Sequence, residues 1–503
     1  MLPERADARY VGQCVEPSRN LSDSTFAILS ERGSRHGEEE KRRRAANVMG
    51  WKVDQDISYP CPMTAPWLNT LLSTLLIVSP AFTHPSFRRF LTLFAGWVGT
   101  RGTHAVTESL VEAGVSGTQH HAAFHRFFSR ACWSVDAVGR LLLLQLVARV
   151  AGPLRLAVDD TLCTHKGPKL FGLGVHVDAV RSTRKRRLLT FGHVWVVLTV
   201  LVPVPWSQRV WALPVLFRLF RTQADCHKSG EQHQPKTQLA VALVHQVAQW
   251  LPGKPLELVA DSAYSCRPVL RALPPGVVFT GVLPTKARLQ RPRTRKYRSP
   301  RTGCLRRGDI RLPNPAQLAR SKKCPWNTLL LTLYGQPQHL QYKELVACWS
   351  RSVGKPLLKI VIVRLHPGQV PLRVLFCTDS TRSAQAIVQS YAQRWAIEVL
   401  FRDLKQLLGF ASSRARSPLA VLRTAPWVGV CYTLLVLWAL ELGLRPSQVA
   451  LPIRPWYRTK KTVSFEDLLR LAQHTLSTAD WTDVPSLLGN LPSALWPPVA
   501  AAA

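Results

Sequence analysis

Apolar positions recur at helical spacing through Ala137–Val150, interrupted only by Gly139, Arg140, Gln145 and Arg149, and residues 63–150 as a whole read as helices. The pattern changes after Pro153. Leu154-Arg155-Leu156-Ala157-Val158 is a β-type run that ends on Asp159-Asp160-Thr161, and Val194–Val204 is a second run rich in Val and Leu. Lys236–Leu251 is an amphipathic helix, Leu256–Ala260 is a strand ending on Asp261, and Val277–Leu283 is a further strand. Alternating strands and helices over 151–284 predict an α/β core with a mixed sheet. Residues 285–370 break the alternation with a basic, proline-containing stretch, followed by β-type runs at Leu329–Leu333 and Leu358–Arg364. They read as a β-rich insertion. Residues 371–410 return to the core with a strand, Leu372–Thr378, and one long helix from about Ser383 to Leu408; residues 411–503 are helical and end in a frayed tail. Residues 1–62 are polar, lack sustained periodicity and predict disorder, and Met49 and Met63 are alternative starts.

Charge changes the picture from fold to partner. With 66 Lys+Arg against 30 Asp+Glu the 503-residue chain carries +36, which predicts binding to a polyanion. No basic amphipathic anchor stands out, and the apolar stretches Leu68–Phe82 and Val428–Leu442 read as buried helices, so no membrane partner is expected. The 11 cysteines show no C-x-x-C pair, which argues against a disulfide framework or zinc ribbon and for a reducing compartment. Charged residues from Glu4 onward are unlike a signal peptide, so a cytoplasmic location beside DNA is expected. No G-x-x-x-x-G-K-[ST] loop is found, and ATP is not an expected partner.

The candidate chemistry lies in the helix Tyr391-Ala392-Gln393-Arg394-Trp395-Ala396-Ile397-Glu398-Val399-Leu400-Phe401-Arg402-Asp403-Leu404-Lys405. At roughly 100° per residue, Tyr391, Arg394, Glu398 and Lys405 share one face beside an apolar stripe. Asp160 and Asp261 each close a β-type run, where open α/β sheets place their sites. Three carboxylates without Cys or His nearby suit a hard cation such as Mg²⁺, and a pair of such ions can drive phosphodiester transfer.

Tyr391-x2-Arg394-x3-Glu398-x6-Lys405 resembles the signature of a large group of bacterial insertion-sequence transposases of the DDE type. Val158-Asp159-Asp160-Thr161 resembles the group's first-aspartate motif and Ala260-Asp261-Ser262-Ala263-Tyr264 its second. The resemblance covers about residues 64–440. It implies an RNase H-like core with a mixed five-stranded sheet, a β-rich insertion, and flanking helical regions, the N-terminal one DNA-binding. It also implies metal-dependent cleavage and strand transfer at element ends on double-stranded DNA, with a homodimer in the DNA complex and a bacterial host. Carried over, Asp160, Asp261 and Glu398 would be catalytic and hold two Mg²⁺, with Mn²⁺ the alternative ion. Asp159 is the alternative to Asp160, because neighbours on a strand point to opposite faces. Tyr391, Arg394 and Lys405 would hold phosphates. An endonuclease without strand transfer and a DNA-binding relic without catalysis are the rival readings. Some relatives that form a DNA hairpin carry a Trp before the signature helix, where this chain has Val374, so the cleavage pathway stays open.

Further basic clusters add to the DNA surface. Lys286, Arg288, Arg293, Arg295 and Lys296, within the run Lys286–Arg311, read as backbone contacts, and Arg181–Arg187 is a second cluster. His120, His121 and His125 have helical metal-ligand spacing but no further ligand close in sequence, and read as a polar helix face.

Overall fold

The computed structural model describes residues 64–165, 167, 169–183, 185–291, 297–298, 305–306, 310–349, 356–364, 372–449 and 462–489. The expected disorder of residues 1–62 and the expected frayed tail fall outside or largely outside these residues, as do Arg293, Arg295 and Lys296 of the basic run.

The helical stretch is five helices: α1 (Thr64–Leu76), α2 (His84–Gly99), α3 (Val106–Glu112), α4 (His121–Ser129) and α5 (Val135–Val147). Pro85 sits in the first turn of α2, where a missing N–H costs nothing, and the Ser134 hydroxyl caps α5 by accepting from the Ala137 N–H. Backbones touch where α2 meets α3: a Cβ on Gly96 would fall 1.8 Å from the Ser109 carbonyl oxygen.

The core follows in the order β1 (Leu154–Thr164), β2 (Gly174–Val177), β3 (Leu189–Val204), β4 (Ser207–Phe220), α6 (Gln223–Ser229), α7 (Lys236–Trp250), β5 (Leu256–Ala260), α8 (Arg267–Ala272) and β6 (Val278–Val282). The order across the sheet is β4-β3-β1-β5-β6, with β1, β5 and β6 parallel and the others antiparallel. This is the mixed RNase H-like arrangement that the sequence predicts.

The sheet does not stop at five strands. The insertion supplies β7 (Leu289–Arg291), β8 (Tyr297–Arg298), β9 (Leu305–Arg306), β10 (Ile310–Leu312), α9 (Pro315–Arg320), β11 (Asn327–Leu333), β12 (Gln336–Trp349) and β13 (Leu358–Arg364), and β14 (Arg373–Cys377) follows. β14 pairs antiparallel with β6, β13 with β14 and β12 with β13, so the described strands form one 12-stranded sheet, with β8 and β9 apart as a small ladder. The five core strands are thus continued by β14 and the strands of the insertion. An unpaired β6 would expose a row of backbone donors and acceptors; β14 covers that edge, and the insertion strands cover β14 in turn.

The chain closes with α10 (Ala384–Gln393), α11 (Trp395–Leu407), α12 (Pro418–Glu441), α13 (Phe465–Leu476) and α14 (Val484–Gly489). The single helix expected over Ser383–Leu408 is two, broken at Arg394. Helix α12 is long and apolar enough to cross a membrane, yet 89% of its most apolar window is buried inside the protein. It packs against β4, α1, α4, α5 and α13 and so joins the N-terminal helices to the sheet. Polar ties fix it: Trp438 donates to the Trp67 carbonyl at 3.1 Å, Thr433 to the Pro214 carbonyl on β4 at 2.9 Å, and Arg423 to the carbonyls of Phe127, Phe128 and Trp133.

Candidate active site

The two aspartate motifs meet through one ladder. Strand β5 runs parallel to β1, with Leu154 beside Leu256 and Val158 beside Ala260. Parallel partners in register point to the same face, so the next step up the ladder sets Asp159 beside Asp261, and Asp160 faces the other way. Strand β1 itself continues to Thr164 along β3, so the aspartates lie within it rather than at its end; it is the parallel ladder that ends there.

The side chains follow the backbone. On one face, Asp159 and Asp261 are buried, 8% and 6% exposed. Arg394, at the junction of α10 and α11, reaches Asp159 Oδ2 with Nη1 at 3.4 Å and Glu398 Oε1 with Nη2 at 2.7 Å. Its guanidinium thus links the first aspartate to the glutamate of the helix motif. Burial and the neighbouring carboxylates of Asp261 and Asp160 push the Asp159 carboxyl well above its usual range, against the pull of Arg394. Burial works against the charge on Arg394, but Tyr391, Glu398, Asp159 and Asp261 together hold its pKa above the ordinary value. The Arg394 Nε is buried with no hydrogen-bond partner among the described residues, a donor left for something else.

On the opposite face, Asp160 Oδ2 accepts from Lys236 Nζ on α7 at 2.9 Å, and Oδ1 accepts from the Tyr264 hydroxyl at 3.0 Å. Those contacts leave Asp160 tied to the rear of the sheet. The geometry groups Asp159, not Asp160, with Asp261, Arg394 and Glu398.

Tyr391 and Lys405 complete the helix motif. Tyr391 presents its ring to Arg394, with the guanidinium carbon 5.6 Å from the ring centroid, and burial raises its phenol pKa. Lys405, two turns beyond Glu398, lies near Cys163 on β1; burial pushes that thiol up to about 12 while the Lys405 charge pulls the other way. Lys286 and Arg288 are exposed on the segment between β6 and β7. Of the other candidates, His120 caps α4 by accepting from the Ala122 N–H, and His121 meets His125 edge to face at 5.8 Å. Cys163, Cys226, Cys377 and Cys431 are buried thiols.

Three groups escape the sequence reading. Glu257 on β5 accepts from Arg155 Nε at 3.1 Å and from Arg382, while Arg155 also donates to Gln393, so a buried network ties the parallel strands to the last residue of α10. Arg373 on β14 sits close enough to Tyr391, Arg394 and Glu398 to feel their charges. Tyr334, between β11 and β12, also lies in the field of Arg394, Tyr391 and Glu398. Nothing in local spacing marks these; they become neighbours only through pairing of strands distant in the chain.

Among the described residues no group of three or more His, Cys, Asp or Glu side chains stands close enough to hold a metal ion. The donor chemistry nevertheless fits a hard divalent cation. Asp159 and Asp261 are all-oxygen donors held side by side against mutual repulsion, and Glu398 lies across Arg394 from them. Comparison with curated proteins gives no match. A family model described as DDE superfamily endonuclease matches residues 78–332, half of the chain, from the end of α1 through β1, β5 and both aspartates into β11, and the chain belongs to the DDE superfamily of endonucleases.

Proposed function

We propose that this protein is a transposase that cuts and joins double-stranded DNA at the ends of a mobile element, with Asp159, Asp261 and Glu398 as its catalytic carboxylates. The observation that carries the reading is the link from Asp159 through Arg394 to Glu398, beside an aspartate on the parallel neighbouring strand. Family membership supports cleavage of DNA, and the Tyr391-x2-Arg394-x3-Glu398-x6-Lys405 spacing supports transposition.

Divalent ions, Mg²⁺ or Mn²⁺, when bound between these carboxylates would activate the attacking oxygen and stabilise the leaving one. The chain's own part is positioning and charge. Arg394 offers Nε to a phosphate oxygen, and Tyr391 steadies the guanidinium by ring contact. Lys405 extends positive charge along α11, and Lys286 and Arg288, with Arg293, Arg295 and Lys296 outside the described residues, add backbone contacts. Joining two ends calls for two copies of the chain on the DNA, and the setting proposed is the cytoplasm of a bacterial host.

The test is cleavage of a duplex bearing the element's own ends, with Mg²⁺ and with EDTA. Wild type is expected to cut only with metal. Asp159→Asn and Glu398→Ala should lower cutting by at least about 100-fold, the scale of losing one electrostatic stabiliser. Asp160→Asn should cut within a few-fold of wild type. Loss with Asp160→Asn and retention with Asp159→Asn would reverse the assignment. Product joined to a second duplex separates a transposase from an endonuclease without strand transfer.

A further inference from the structure

We propose that Tyr334 is a DNA-contacting residue of this site, carried in by the insertion on a hairpin beside the helix of Tyr391 and Arg394. The inference rests on the reading of the site as one that cuts DNA.

Tyr334 and Gly335 form the two-residue turn of the β11–β12 hairpin, since Leu333 pairs with Gln336. Both have positive φ, 54° and 77°. Tyr334 is the only non-glycine with positive φ among the described residues. Such turns favour Asn, Asp or Gly at this position, because a Cβ crowds the backbone in the left-handed region. A bulky aromatic there is an uneconomical choice for a turn alone, and residues kept in such conformations cluster at functional sites.

The surroundings say what the side chain is for. The tip is pinned by β4: Arg209 Nε, near the start of that strand, donates to the Tyr334 carbonyl at 2.8 Å. Strand β11 packs on α10, the helix that carries Tyr391. The phenol lies within the fields of Arg394, Tyr391, Glu398 and Arg209. A tyrosine is a neutral hydroxyl donor at neutral pH, and burial moves its pKa further up, to about 12. A neutral donor among arginines suits a phosphodiester oxygen, which accepts hydrogen bonds from both. The hairpin thereby gives the insertion a role at the carboxylates and not only at the sheet edge.

Two variants separate contact from turn geometry. Tyr334→Asn suits the left-handed backbone and should melt no lower than wild type, yet cut about 10- to 100-fold more slowly, the scale of a lost hydrogen bond to a charged group. Tyr334→Phe keeps the ring and the backbone strain and should lose most of the same rate. Retardation of the same end-bearing duplex in EDTA should weaken several-fold with both variants. If Tyr334→Asn cuts and binds like wild type, Tyr334 is a turn residue and the inference falls. If Tyr334→Asn loses activity but Tyr334→Phe does not, the hydroxyl contact is wrong and the proposal is overturned in that form. If wild type does not cut at all, the proposed function fails, while the EDTA binding comparison still decides whether Tyr334 touches DNA.

Discussion

Arg394 is 7% exposed and still charged, which is a costly state for a guanidinium unless its partners repay desolvation. Asp159 and Glu398 do so directly, and Asp261 adds its field. In turn Arg394 makes the burial of Asp159 beside Asp261 tolerable. Glu257 shows the same physics with the opposite sign. Burial alone would raise its pKa, but Arg382 and Arg155 outweigh burial and hold it below the ordinary value. A carboxylate with a depressed folded pKa contributes stability that is present above its unfolded pKa, about 4.3, and lost as pH falls through the folded value. Glu257→Gln should therefore melt lower than wild type at pH 7, by about 2 kcal/mol for the lost charge-assisted bonds. As pH falls below the depressed folded value the two proteins should converge. Parallel melting curves at every pH would show that the carboxylate charge contributes nothing.

At the level of elements, polar groups inside the insertion decide how firmly it is built. Lys343 on β12 is 3% exposed and donates to the carbonyls of Leu318, Ala319 and Ser321, the unsatisfied C-terminal end of α9. Its ammonium also lies 4.8 Å from the Trp326 ring centroid. Lys343→Met keeps the volume and removes the donors, and should cost about 2 kcal/mol by leaving buried carbonyls unpaired. Hydrogen exchange of α9 and β11 would register the loss, and an unchanged exchange pattern would dismiss the capping role. Strand and helix runs were legible because periodicity reports them: β5, β6, α7 and β13 fall within a residue or two of the expected spans. The break at Arg394 was not legible, since the apolar stripe runs through it and the interruption serves a partner on β1. Nor was the choice between Asp159 and Asp160, which depends on the register of β1 against a strand far along the chain.

For the whole molecule, charge and apolar packing divide the work. The net +36 predicts sequence-independent affinity for DNA that falls steeply with salt, on the order of 10³-fold between 50 and 200 mM if six or more phosphates are neutralised. A titration that shows no salt dependence would remove the electrostatic account. Apolar packing centres on α12, which gathers helices from both ends of the sequence onto β4, so the terminal regions and the sheet share one core. The double aspartate of β1 gives that folding process an unusual sensitivity. A one-residue slip of a strand exchanges its two faces. Here a slip of β1 against β5 would exchange Asp159 for Asp160 and leave a carboxylate beside Asp261 in either case, so composition alone would not betray the error. Lys236 and Tyr264, which donate to Asp160 at the rear, would then face Thr161 in place of a carboxylate, so only the native register satisfies both sides of the sheet.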